Sequence, residues 1–203
     1  HTLYVSPLKA LAADIRRNLA RPIEEMGLSI RVEDRTGDTS QSARKRQRAD
    51  PPHILLTTPE SLALLLSYED AGRTFRGLRR VIVDEAHALA ESKRGDQLCL
   101  GIARLETLAP GLEVVGLSAT VEDPGRLARW LRPGGAEVLE ADPGPPPDIG
   151  MLETAAPPPW AGQGGRYAAA AVMEEIRKAR TTLVFHNTRA QCELFFRALW
   201  EVN

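Results

Sequence analysis

A parallel α/β sheet with helices on both faces is the fold class that this sequence predicts. Two observations predict it. Short apolar runs alternate along the chain with segments whose apolar residues recur at helical spacing. The runs are also nearly continuous rather than alternating with polar residues, as in strands buried on both faces.

Thr2 to Val5 opens the series as a strand, followed by Leu8, Leu11, Ala12, Ile15 and Leu19 on one helical face that ends near Gly27. Pro22 falls inside that helix and predicts a kink or restart. Ser29 to Val32 reads as the next strand, Thr36 to Thr39 as a turn, and Ala43 to Arg48 as a basic helix. His53 to Thr57 is a strand, Pro59 opens a helix, and Arg80 to Val83 is a strand. Leu98, Ile102, Leu105 and Leu108 mark a further helix. The strand Glu113 to Leu117, read as buried, and a short helix around Leu127 to Leu131 complete the set.

The composition changes at Ala141. Pro143, Pro145, Pro146, Pro147, Pro157, Pro158 and Pro159 are seven of the chain's 15 prolines, and Gly162, Gly164 and Gly165 follow. Such a stretch cannot be regular helix or central strand and reads as a domain junction. Three segments result: residues 1–141, a junction at 142–165, and the start of a second α/β domain at 166–203. In the last, Tyr167 to Ala179 predicts a helix and Thr181 to Phe185 a buried strand. Cys192, Phe195, Phe196 and Leu199 share one packed helical face.

The 203 residues are 43% hydrophobic and 26% charged, and no apolar run approaches the roughly 20 residues of a membrane span. A net charge of −1 gives no long-range attraction to nucleic acid, so any such contact must be local. Cys99 and Cys192 lack metal-ligand spacing and fit small core residues in a reducing, cytoplasmic setting. The chain begins with His1 rather than Met, and Thr2 to Val5 already reads as a strand. Residue 1 is therefore expected to lie inside a domain.

The chemistry concentrates in Arg80-Val81-Ile82-Val83-Asp84-Glu85-Ala86-His87, an apolar strand ending in two adjacent carboxylates. In open α/β sheets, ligands sit outside the carboxyl ends of strands. There Asp84 can hold Mg²⁺ through its hydration shell, and Glu85 can orient or deprotonate an attacking water. The same two residues can also serve as an N-cap and a first-turn acid of the next helix. A second strand ends in Ser118-Ala119-Thr120, hydroxyl residues able to bridge a nucleotide site to an adjoining domain. Alone, that triplet is equally a turn or helix cap.

Together, Asp84 to His87 and Ser118 to Thr120 resemble motifs II and III of superfamily 2 DEAD/DEAH-box helicases. Ser6-Pro7-Leu8-Lys9-Ala10-Leu11 resembles motif Ia. Thr36-Gly37-Asp38-Thr39 and Thr57-Thr58-Pro59-Glu60-Ser61-Leu62 resemble motif Ib and its neighbour, and Leu183 to Arg189 resembles motif IV. The matches keep the family's order across almost the whole chain. The pattern is similar to Lhr-type (large helicase-related) DNA helicases. Ser92-Lys93-Arg94-Gly95-Asp96 before a Leu-rich helix resembles the subgroup associated with ATP-dependent DNA ligases and the DNA damage response.

The resemblance implies a RecA-like, P-loop NTPase-type sheet followed by the start of a second RecA-like domain. It further implies a motor that uses ATP and Mg²⁺ to move along single-stranded or partly duplex DNA, three-prime to five-prime. DNA repair proteins, an ATP-dependent ligase among them, are the implied partners. Asp84, Glu85 and His87 would be catalytic, and Ser118, Ala119 and Thr120 would couple nucleotide to movement. Ser6, Pro7, Lys9, Thr36, Gly37, Asp38, Thr58, Pro59, Asn187, Thr188 and Arg189 would contact nucleic acid. Backbone N–H groups and hydroxyls where strands and turns feed helices suit phosphate oxygens and carry no base information. Each is also ordinary helix-cap chemistry, and Lys9 also reads as an exposed helical lysine.

Other residues read more plainly. Arg44, Lys45, Arg46 and Arg48 form a solvated helix face or an auxiliary phosphate patch. His186 is a core or rim histidine. Trp130 and Trp200 are packing anchors, and Trp160 is balanced between packing and base stacking. No G-x-x-x-x-G-K-[ST] phosphate loop occurs in the 203 residues, and motifs V and VI are also missing. The chain thus reads as an interior part of a motor, expected not to hydrolyse ATP unaided. An RNA helicase of the same superfamily and a non-catalytic nucleic-acid-binding fragment are the alternatives.

Overall fold

Residues 1–119, 121–142, 144–154, 157, 159–160 and 165–203 are described by the structure, a computed structural model. They fall into two units, His1–Glu140 and Ala141–Asn203. The first unit runs β1 (Thr2–Val5), α1 (Lys9–Glu25), β2 (Val32–Arg35), α2 (Gln41–Ala49), β3 (Ile54–Thr57), α3 (Pro59–Leu66) and α4 (Ala71–Phe75). It continues with β4 (Arg80–Val83), α5 (Ala86–Leu89), α6 (Lys93–Leu108), β5 (Glu113–Gly116) and α7 (Pro124–Leu131).

All strand pairings are parallel, in the order β2-β3-β1-β4-β5. Leu3 and Val5 of β1 and Val81 and Val83 of β4 point to one face, where Leu62, Leu66, Leu98, Ile102 and Leu105 of α3 and α6 bury them. This is the main core, each large side chain contributing about 1.5–3 kcal/mol through burial. On the opposite face α1 packs along β2 and β3, and Leu56 and Ala12 are fully buried there.

Three expectations for this unit are corrected. The second strand is Val32–Arg35, three residues later than Ser29 to Val32. Its polar side chains are tolerated because β2 is an edge strand and each finds a partner: Glu33 with Arg46 and Gln47, Asp34 with Arg16, and Arg35 with Gln47 beneath α2. The helix α1 passes through Pro22 without a break. It ends instead at Gly27 (φ 63°), where Gly27 N–H donates to Glu24 O and Leu28 N–H to Ile23 O, a cap that needs a left-handed residue. Lastly, β5 is an edge strand with Val115 38% exposed, because only β4 adjoins it.

The second unit holds a 3₁₀ turn (Arg166–Ala168), α8 (Ala169–Lys178) and α9 (Arg189–Val202), joined by Ala169, Val172, Phe195, Ala198 and Leu199. Thr181 to Phe185 is not a buried strand; Leu183 is 76% and Phe185 86% exposed. Among the described residues of this unit no strand is present to pair with it. Phe195 faces α8, whereas Phe196, Cys192 and Trp200 are exposed, so the packed face is narrower than the spacing implied. His186 lies against Phe195 with ring centroids 4.9 Å apart and the planes tilted by 51°. Among the described residues no helix is long and apolar enough to cross a membrane.

Candidate functional site

Parallel pairing brings the carboxyl ends of all five strands to one edge of the sheet, and the chemistry-bearing residues collect there. Asp84 leaves β4 with its N–H donating to Val5 O at 2.8 Å. Its Oδ1 accepts the N–H of Glu85 at 3.0 Å. Glu85 then adopts φ 47°, ψ 45°, a left-handed conformation that costs a non-glycine residue about 1–3 kcal/mol. Outside β5, Leu117 holds the turn in place: its N–H donates to Val83 O and its carbonyl accepts Ala86 N–H, at 2.8 and 2.9 Å. Glu85 occupies the N-cap position of α5 and makes no capping hydrogen bond through its side chain, while the Asp84 carboxylate accepts the N–H of Glu85.

His87 extends the arrangement toward β5. Its Nε2 lies 3.4 Å from Glu85 Oε2, and its Nδ1 lies 2.9 Å from Ser118 Oγ. Ser118 and Ala119 are exposed; Thr120 lies outside the described residues. Tyr4 was not foreseen. Two residues before Ser6 on β1, its phenol sits beside Asp84, and burial first, then the Asp84 and Glu85 carboxylates, push its pKa up to about 12. The signal for it was strand alternation, since Tyr4 pairs with Ile82 and thus shares a face with Asp84. Among the described residues no group of three or more His, Cys, Asp or Glu side chains could hold a metal ion.

The nucleic-acid candidates of this unit sit at the same edge, after β1, β2 and β3. Ser6 N–H donates to Thr57 O, and Thr57 Oγ1 to Arg35 O, which knits the three turns together. Several hydroxyls are already engaged. Ser6 is fully buried and its Oγ donates to Leu8 O, while Pro7 is buried. Thr58, also buried, caps α3 by accepting Ser61 N–H, with Pro59 in the first helical turn. Thr36 Oγ1 accepts Asp38 N–H, and Thr39 Oγ1 accepts Thr36 N–H. Gly37 is exposed, and Lys9 Nζ pairs with the Asp38 carboxylate at 3.0 Å beside it.

In the basic run Lys45 and Arg46 are exposed, as on a solvated helix face, whereas Arg44 and Arg48 are half-buried. Arg44 Nη2 donates to Thr36 O and Gly37 O at 3.1 and 2.7 Å, bracing the turn between β2 and α2. Arg46 pairs with Glu33, and Arg48 pairs with Asp70 while lying 4.1 Å over the Tyr68 ring. These side chains serve local structure because acidic and carbonyl partners lie within reach. Asn187, Thr188 and Arg189 are exposed on the second unit, where Thr188 Oγ1 caps α9 by accepting Gln191 N–H.

Residues 1–127 match the model of the family described as DEAD/DEAH box helicase. The chain is 45% identical over 141 residues to ATP-dependent helicase Lhr-Core protein 2 of Thermococcus barophilus, covering 64% of this chain and 16% of that protein. It is similar to the structure of Mycobacterium smegmatis helicase Lhr bound to ssDNA and AMP-PNP, with a TM-score of 0.70 and 35% identity, covering all of this chain and 28% of that one. The DUF1998 helicase MrfA bound to DNA and AMPPNP shares the fold at a TM-score of 0.78 and 22% identity, covering all of this chain and 29% of that one. Curated relatives are matched over 9 to 24% of their own length.

Proposed function

The chain belongs to the DEAD/DEAH box helicase family, and from that premise we propose that it is the central part of an Lhr-type, ATP-dependent DNA helicase. The observation that carries the proposal is the turn after β4. There two adjacent carboxylates, one in a left-handed conformation, stand at the carboxyl edge of a parallel sheet and connect through His87 to Ser118. Strain held at such an edge fits a reaction site better than a structural turn.

The carboxylates fit Mg²⁺-ATP in kind. Asp84 would hold the metal through its hydration shell with a hard carboxylate oxygen, the kind of ligand Mg²⁺ takes beside water and phosphate. Bound there, the metal would neutralise charge on the phosphates. Glu85 positions and deprotonates the attacking water, and the Tyr4 phenol orients the Asp84 carboxylate. His87 and Ser118, with Ala119 and Thr120, relay the state of the site to an adjoining domain. Residues 142–165 form the junction to that domain, and 166–203 begin it.

The nucleic-acid strand runs over the turns after β1, β2 and β3. Gly37 meets its phosphates through backbone, and Lys9 through charge. Ser6, Pro7, Thr36, Thr58 and Pro59 shape those turns from within, and Asp38 stands exposed beside them, paired with Lys9. On the second domain Asn187, Thr188 and Arg189, all exposed, are the nucleic-acid contacts of this reading. Single-stranded DNA is the preferred partner because the similar Mycobacterium smegmatis helicase carries it. Residues 92–96 support a role in DNA repair with an ATP-dependent ligase as partner, and the free Cys99 and Cys192 support a cytoplasmic setting.

The test uses the full-length protein. Glu85→Gln should bind Mg-ATP with near-parental affinity yet hydrolyse it about 10² to 10⁴ times more slowly, the usual contribution of a general base. Asp84→Ala should weaken Mg²⁺-dependent binding as well. A Glu85→Gln protein that hydrolyses ATP at the parental rate removes the catalytic assignment.

A further inference from the structure

Arg94, in the first turn of α6, reaches two segments far from it in sequence. Its Nη2 donates to Pro7 O at 2.8 Å, between β1 and α1, across 87 residues. The same nitrogen donates to Glu60 Oε2 at 3.2 Å, and Nε engages Glu60 Oε1, in the first turn of α3. Guanidinium is the one side chain with enough donors in a fixed plane to serve a carboxylate and a carbonyl together.

The base from which Arg94 reaches is rigid. Ser92 Oγ donates to Leu89 O at 2.7 Å and accepts Gly95 N–H at 3.1 Å, which joins the end of α5 to the start of α6. A Cβ on Gly95 would stand 2.1 Å from Leu89 O and 2.9 Å from Trp130 Cζ2, so the two helices abut with no slack. Since α5 begins directly after Glu85, a shift of the carboxylate turn carries the first turn of α6 with it. Through Arg94 that shift arrives at the turns after β1 and β3.

We propose that Arg94 is a positioning residue that couples the Asp84–Glu85 turn to the nucleic-acid-contacting turns at Pro7 and Glu60. The inference rests on the helicase reading and adds a route by which nucleic acid and nucleotide sense each other. Such coupling is reciprocal: the side chain that lets the nucleotide state set the turns lets bound DNA set the carboxylates.

The experiment measures ATP hydrolysis by the full-length protein, without DNA and across a titration of single-stranded DNA. Parental protein, Arg94→Ala, Arg94→Lys, Glu60→Gln and the Arg94→Ala/Glu60→Gln pair are compared. Arg94→Ala should keep DNA-free hydrolysis within about twofold of parental while stimulation by DNA falls about fivefold or more, the effect of losing a hydrogen bond worth about 1 kcal/mol in the stimulated step. Arg94→Lys, with charge but no fork, should restore part of it. The double variant should lose no more than Arg94→Ala alone, because both substitutions break one link.

Equal proportional losses with and without DNA would show a merely structural role and overturn the inference, as would unchanged stimulation or additive losses. Where Arg94→Ala fails to fold, Arg94→Lys and Glu60→Gln carry the same comparison. A parental protein whose hydrolysis ignores DNA overturns the helicase reading and this inference with it. A stimulated parent with an unaffected Arg94→Ala overturns this inference alone.

Discussion

His87 Nδ1 and Ser118 Oγ approach to 2.9 Å although 31 residues separate them. The contact adds a side-chain link to the Ala86–Leu117 backbone bond between the turns after β4 and β5, at the edge where β5 pairs with β4 alone. A hydrogen bond of this kind is worth about 1 kcal/mol, roughly a fivefold effect on a step that depends on it. Ser118→Ala and His87→Ala in the full-length protein should therefore lower strand separation about fivefold more than DNA-free ATP hydrolysis. Paired measurements of the two rates decide; a common fall in both assigns the bond to the hydrolytic step instead.

The ion pair between Lys9 and Asp38 has both side chains largely exposed, at 53% and 80%. Such a pair is worth at most about 1 kcal/mol in stability, but the Asp38 carboxylate occupies the Lys9 ammonium and keeps it from a phosphate. Asp38→Asn should release Lys9 and tighten binding of single-stranded DNA. The slope of log affinity against log salt should steepen by about 0.7, one more phosphate contact. Fluorescence-anisotropy titrations at several salt concentrations read both effects, and an unchanged slope would remove Lys9 from the surface.

Residue patterns expose some of this architecture and hide the rest for physical reasons. Val81 to Val83 followed by Asp84 and Glu85 is legible because an apolar strand must end where charge begins. The strand at Val32–Arg35 was misplaced because edge strands need not be apolar, and its register follows from pairing with Ile54 to Thr57. The opposite error, at Thr181 to Phe185, arose because an apolar run becomes a strand only beside a partner. Tyr4, and the reach of Arg94 beyond its quoted motif, are hidden: Arg94 acts across 87 positions and Tyr4 through a neighbouring strand. Spacing along the chain reports neither.

Gly95 and Gly101 both lie in α6 but differ in surroundings. A Cβ at Gly95 meets the Leu89 backbone at 2.1 Å, whereas at Gly101 it lies 3.4 Å from Leu66 Cδ1 and 3.5 Å from Leu62 Cδ2. Backbone cannot yield as a side-chain terminus can, so Gly95→Ala should destabilise by about 3 kcal/mol, the upper end of overpacking costs. Gly101→Ala should cost less than about 1 kcal/mol, since Ala's higher helix propensity offsets part of the crowding. Urea unfolding of the two variants makes the comparison; equal effects would mean that the α5–α6 junction yields.

Glu60 supplies a pH signature of the same junction. The Arg94 guanidinium, opposed by partial burial, holds its pKa down from 4.5 to about 2. A carboxylate with a lowered folded-state value stabilises fully above its unfolded value and loses that contribution as pH falls through the folded one. Its window is therefore about pH 4.5 down to about pH 2. With the Glu60 side chain 52% exposed, solvent screening limits the effect to about 1 kcal/mol or less. In urea titrations the parental chain should exceed Glu60→Gln by that amount at pH 6. The gap should narrow steadily below pH 4.5, and Arg94→Ala should follow the same course, because the two substitutions remove one ion pair. A gap that stays constant down to pH 3 would place the stabilisation in packing around Glu60 rather than in its charge.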